Sequence, residues 1–220
     1  MNPKDVAVRS GFAGAVALAA GSGAYGAIVT PALPANIPEP APTVSNSSAW
    51  DVDGDSLVDF IFNFRYISAS VPYWQSRVLT DPTDGEGVVG TGPAGLYNYF
   101  YGDNLAAGAV IGPASNFVPT GTDIQVVLAS QFGTYLYGNF LAPNGRGFIG
   151  FKFNIGADTK YGWIELETGA PGTGIGIRFL GAGYEDSGAS ILAGQVPAPG
   201  TLAGLAFGAG ALLRRKQRVA

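Results

Sequence analysis

Residues 59–67 read Asp59-Phe60-Ile61-Phe62-Asn63-Phe64-Arg65-Tyr66-Ile67. In an extended chain successive side chains point to opposite faces, so Phe60, Phe62, Phe64 and Tyr66 share one face and Asn63 and Arg65 take the other. The pattern returns in Gly147–Ile155, where Ile149, Phe151, Phe153 and Ile155 oppose Lys152 and Asn154. In Tyr161–Thr168, Ile164 and Leu166 oppose Trp163, Glu165 and Glu167. Further strands are expected at Tyr73–Leu79, Leu96–Tyr101, Ile124–Ala129, Tyr135–Leu141, Gly174–Leu180 and Ser190–Leu192. No stretch between them carries a capped 3.6-residue period. About nine short strands with turn residues between them imply an all-β fold, an antiparallel β-sandwich of jelly-roll-like kind, over residues 50–194.

Composition narrows the chemistry. The 220 residues contain no cysteine and no histidine, which removes disulfides, Cys nucleophiles, Ser-His-Asp triads and Cys- or His-ligated zinc. Thirty-four glycines and 12% aromatics suit many turns between short strands. Six of the twelve basic residues lie near the two ends; residues 28–195 hold six basic against fifteen acidic residues, a net of −9. A body this acidic repels phosphate backbones, so no nucleic-acid partner is expected.

The ends carry a different grammar. Lys4 and Arg9 precede a short apolar run, Gly11 to Ala20, and Ala24-Tyr25-Gly26 offers small residues at a cleavage site. Residues 1–26 therefore read as a signal peptide with an N-terminal signal helix, and the chain as exported. The formal G-x-G-x-x-G of residues 21–26 follows no strand and is not a dinucleotide site. Residues 27–49, rich in Pro and Ala, read as an extended linker. At the other end stand Val196-Pro197-Ala198-Pro199, an apolar run from Leu202 to Leu213, and Arg214-Arg215-Lys216. The run has no polar face, makes about 18 Å of helix at 1.5 Å per residue, and is expected to form a short transmembrane helix with the basic cluster on the cytoplasmic side.

This order of turn, apolar run and basic cluster over residues 195–220 resembles the PEP-CTERM sorting signal, with Val196, Pro197, Pro199, Arg214, Arg215 and Lys216 matching and Ala198 standing where that family usually has Glu. The resemblance implies an exosortase-like processing enzyme as partner, transient residence in the inner membrane, final delivery to the cell surface, outer membrane or exterior, and an association with exopolysaccharide. Gly150-Phe151-Lys152-Phe153, Tyr161-Gly162-Trp163-Ile164-Glu165-Leu166, Gly183-Tyr184-Glu185 and Ile191-Leu192-Ala193-Gly194 also look like the C-terminal half of many proteins with such tails, whose function is unknown. Pro38-Glu39-Pro40 is a decoy, with no apolar run behind it.

The sharpest motif of the body is Asp51-Val52-Asp53-Gly54-Asp55-Ser56-Leu57-Val58-Asp59. Calcium takes six to eight oxygen ligands, and aspartates at loop positions 1, 3, 5 and 9 supply them at close spacing. Asp51, Asp53, Asp55 and Asp59 are expected to give carboxylates and Leu57 a backbone carbonyl to a structural Ca2+. Position 12 is Phe62, so this is no EF-hand, and Ser56 at position 6 must take a left-handed conformation or the turn must differ. Asp81, Asp84 and Glu86 form a looser acidic group.

Glu165 and Glu167 lie about 7 Å apart on one strand face, a spacing that overlaps glycosidase carboxyl pairs. Tyr161 and Trp163 flank them and are candidates for stacking on a sugar ring, a role for which Trp50, Trp74, Tyr97, Tyr99 and Tyr101 are also eligible. Paired catalytic carboxylates usually come from different elements, so the chain is read as a non-enzymatic surface or matrix protein. A carbohydrate-binding module is the alternative, and a glycoside hydrolase a more distant one.

Overall fold

A computed structural model describes residues 26–68, 70–80, 85–94, 99–119, 125–141 and 145–197. They form fifteen strands: β1 (Ile28–Val29), β2 (Ile37–Pro38), β3 (Ser45–Trp50), β4 (Phe60–Ser68), β5 (Tyr73–Thr80), β6 (Gly87–Ala94), β7 (Tyr99–Gly102), β8 (Val110–Ile111), β9 (Phe117–Pro119), β10 (Val126–Phe132), β11 (Tyr135–Tyr137), β12 (Arg146–Ile155), β13 (Asp158–Thr168), β14 (Ile175–Glu185) and β15 (Ile191–Leu192). The fold is all-β among the described residues, and no helix there is long and apolar enough to cross a membrane. The signal helix and the apolar run of the tail lie outside the described residues.

Thirteen strands join in one mixed sheet, in the order β1-β14-β13-β12-β6-β7-β10-β5-β4-β3, with β2 on β14, β9 on β6 and β11 on β10; β8 and β15 form a separate ribbon. The pairings are antiparallel except β7–β10, which is parallel, a departure from the all-antiparallel expectation. β6 links two limbs: Gly87 and Val88 pair with β12, while Gly90, Thr91 and Ala94 pair with β7. The limbs face each other through aromatic rings. Trp50 of β3 meets Phe151 of β12 at 5.1 Å, and Phe62 of β4 meets Phe179 of β14 at 4.7 Å, both edge-on. The expected alternation is the reason: Phe60, Phe62, Phe64, Ile149, Phe151 and Phe153 are all buried in one core. Each such side chain contributes about 1.5–3 kcal/mol. Ile155 reaches the hairpin tip opposite Asp158 and is half-exposed.

Two expectations are corrected. Residues 27–49 are not a free linker: Ile28 and Val29 pair with Glu185 and Tyr184, Ile37 with Ile177, and β3 runs along the whole first half of β4. Within this segment Glu39 accepts hydrogen bonds from the backbone N–H groups of Gly172 (2.8 Å) and Gly174 (2.9 Å), so the Pro-Glu-Pro stretch braces the β13–β14 turn. Secondly, the outer face of β13 is covered. Tyr161 and Trp163 lie in a second apolar cluster with Val89, Ile111, Ile191 and Ala193, under the β8–β15 ribbon.

Candidate metal centre

The β3–β4 connection is a closed loop. Trp50 pairs with Phe60, Asp59 N–H donates to Trp50 O at 3.0 Å, and buried Val52 anchors the loop from below. The aspartates then order the backbone themselves. Asp51 accepts from Gly54 N–H (2.7 Å) and Ser56 N–H (2.9 Å), Asp53 from Asp55 N–H (3.1 Å), Asp55 from Leu57 N–H (2.7 Å) and Asp59 from Val52 N–H (2.6 Å). Ser56 takes φ +75°, the left-handed one of the two alternatives open to it. A non-glycine residue held there costs free energy that the surrounding hydrogen bonds must offset.

This wrapping brings oxygens of Asp51, Asp53 and Asp59 within 4.8 Å of one another. Two oxygens bound to one calcium at 2.3–2.6 Å lie at most about 5 Å apart, so the triad fits a shared cation. Each ionised carboxylate has about four acceptor sites, so lone pairs remain after the backbone bonds are made. The Asp55 carboxylate is not part of this group. Asp55 instead lines an open hollow together with Leu57, Val58, Asp59, Gly85, Glu86, Asn154 and Gly156. Glu86 is buried there; its expected companions Asp81 and Asp84 lie outside the described residues.

Crowding of like charge is visible in protonation. The Asp59 carboxyl is raised to about 6, by burial first, against the pull of Val52 N–H and with the help of Asp53, Asp51 and Asp55. Asp53 is raised too, by burial first and then by Asp55 and Asp51 against the pull of Asp55 N–H. A divalent cation would supply the missing positive charge.

The other candidate residues are placed differently. Trp163 donates its Nε1–H to Gln195 O at 3.1 Å and packs edge-on to Phe148 at 5.5 Å; Tyr161 packs against Phe117. At 4% and 9% exposure, Trp163 and Tyr161 offer no platform to a sugar, contrary to the surface-aromatic expectation. Trp50 and Trp74 are buried as well. Glu165 is ion-paired with Arg146 at 2.8 Å and Glu167 with Arg178, each across the sheet, as neighbouring strands of opposite charge permit. Gln195 is the last residue anchored by hydrogen bonds among the described residues; Val196 after it is 65% exposed, and Pro197 follows it into solvent. Ala198, Pro199, Arg214, Arg215 and Lys216 lie outside the described residues.

One feature escapes a strand-by-strand reading. Tyr73, Tyr99, Tyr101, Phe132 and Tyr137 converge on one cleft from four strands. The tyrosine alternation of β7 is visible in the sequence, but not its neighbours. No protein family, curated protein or solved structure matches this chain.

Proposed function

We propose that this is an exported cell-surface or extracellular-matrix protein, structural rather than enzymatic, whose body is a jelly-roll-like β-sandwich stabilised by calcium. The observation that carries the calcium reading is the convergence of Asp51, Asp53 and Asp59 in a loop that their own carboxylates fold. Asp55, Leu57 and Glu86 line the hollow that Asp59 also lines, and Asp55 and the Leu57 carbonyl are taken as further ligands. The ion would tie the end of β3 to the start of β4 and relieve the repulsion within the loop, which is a stabilising role and no step of a reaction. The tail carries the sorting half of the proposal: residues 195–220 are read as a signal for an exosortase-like enzyme, with the inner membrane as a transient station and exopolysaccharide as an associate at the surface. Gln195 as the last tethered of the described residues, with Val196 exposed beyond it, suits a processing enzyme that needs an accessible motif.

Calorimetric titration of the 27–197 domain with Ca2+ tests the metal. One site per chain and a Tm that falls on chelation are expected; no heat and an unmoved Tm would overturn it. Mass determination of the protein recovered from exosortase-positive and exosortase-negative cells tests the tail. Loss of the residues beyond the motif only in the former is expected, and an intact C-terminus in both refutes sorting.

A further inference from the structure

The strongest uncommitted feature is the tyrosine cleft, of about 120 Å³. Its origin is a β-bulge. β10 and β5 pair Val127 with Arg77 and Ser130 with Gln75, with the register slipping between Val127 and Ala129. The extra residue leaves Leu128 and Ala129 both in the core and returns Ser130 and Phe132 to the outer face beside Val127. Cross-strand partners share a face, so three rows form there. Tyr101, Val127 and Arg77 make the first, Tyr137, Ser130 and Gln75 the second, and Tyr135, Phe132 and Tyr73 the third. Gly138 secures the second row. Its φ is +95°, and a Cβ there would run into the carbonyl of the bulged Leu128, so only glycine lets the chain leave β11 so close to β10.

The cleft has the character of a site for an uncharged, amphiphilic ring. Tyr73 and Phe132 meet edge-on at 5.3 Å, giving a ring wall rather than a collapsed stack. The lining holds no carboxylate and no cation among the described residues, while tyrosines supply hydroxyls and Ser130, which donates to Trp74 O at 3.1 Å, keeps only an acceptor. Burial, with Tyr137 and Tyr99 nearby, raises the Tyr101 phenol, which therefore stays a hydrogen-bond donor. Arg77 on the same face is occupied, donating to Asn63 Oδ1 at 2.9 Å. Directly across from Ser130, Gln75 is 2% exposed and its Nε2 has no hydrogen-bond partner among the described residues. A buried donor left unmatched loses its hydration without compensation, which marks the floor behind Ser130 as polar. The third row continues outward: Phe132, Tyr135 and, in the turn before Tyr73, Val71 are 40%, 65% and 49% exposed. Such an apolar patch beside a pocket marks a binding face.

We propose that this cleft binds a pyranose ring of a neutral polysaccharide, with the ring's C–H face on Tyr73, Tyr101 and Tyr137, its hydroxyls on the phenols, and the next sugar units along Phe132 and Tyr135. A ring with apolar faces and a hydroxyl rim matches both halves of the lining, and the body's net charge of −9 disfavours anionic polymers. The site shares no residue with the aspartate loop and does not rest on calcium.

Saturation-transfer NMR and calorimetry with cellohexaose and laminarihexaose test it. At least one should bind with Kd below about 1 mM. Tyr137→Ala and Tyr101→Ala should weaken Kd about tenfold and Tyr137→Phe about threefold, the loss of one hydrogen bond. Val110→Ser, on the far ribbon, should leave it unchanged, as should chelation of calcium while the domain stays folded. The proposal is overturned if neither hexasaccharide binds, if binding survives Tyr137→Ala and Tyr101→Ala in variants whose Tm shows them folded, or if a proline-rich peptide occupies the cleft in preference to the sugar.

Discussion

Replacing Asp59 by asparagine separates the two halves of the metal argument. In the folded, calcium-free protein Asp59 titrates near 6, against an ordinary value of 3.8. Between those values the native state holds a proton that the unfolded chain has lost, so stability falls as pH rises through about 4 to 6 and then levels off. A shift of this size corresponds to about 3 kcal/mol if taken whole. Asp59 is only half-buried, and solvent screening brings this down to about 1–2 kcal/mol. Asp53, raised in the same direction, adds to the trend. The asparagine side chain keeps the acceptor for Val52 N–H but carries no charge. Without calcium, Asp59→Asn should therefore be about 1–2 kcal/mol more stable than the parent at pH 7 and equal to it near pH 4. With calcium the order reverses. At a hundredfold excess over Kd the parent gains about 2.7 kcal/mol, or about 5–10 °C in Tm for a domain of this size, and the variant gains little. Since calcium needs the ionised carboxylates, the parent's gain should itself fade below about pH 6. Urea unfolding from about pH 4 to 7.5, in EGTA and in calcium, reads all three. A variant that is less stable than the parent in EGTA at pH 7 would refute the repulsion argument, and a variant with the parent's full calcium response would remove Asp59 from the site.

Three further outcomes are expected. Trp163→Ala should cost about 3–5 kcal/mol, because it empties the cluster under the β8–β15 ribbon and frees Gln195, and it should not change binding of any glycan; denaturant midpoints and the hexasaccharide titration check both. Glu39→Ala removes the acceptor for Gly172 and Gly174 and should cost about 1–2 kcal/mol, with faster amide exchange confined to the β13–β14 turn; uniform exchange would show that the brace is idle. Gly138→Ala should destabilise by about 2–4 kcal/mol through the Leu128 carbonyl and weaken the tyrosine cleft, whereas a neutral result would mean that the bulge tolerates a Cβ.

Alternation along single strands is enough to determine that the body, among the described residues, is all-β and which faces form its core. Phe60, Phe62, Phe64, Ile149, Phe151 and Phe153 are buried as the period of two requires, because that period is a local property of an extended backbone. The aspartate loop is readable for the same reason: its carboxylates lie within nine residues, while of the two alternatives open for Ser56 the folded loop takes the left-handed one. What covers a strand's second face is not local. Trp163 and Tyr161 alternate like surface residues, but the ribbon of β8 and β15 comes from distant segments and buries them. Residues 27–49 elude the sequence likewise, since Pro and Ala describe a chain without its own periodicity, while β14 and β4 supply the edges on which it pairs. The tyrosine cleft depends on one inserted residue at Leu128, on β11 folding back against β10 and on a parallel β7 alongside. A bulge reverses which residues face outward without changing the composition of the strand, so only the assembled sheet decides where Ser130 and Phe132 point.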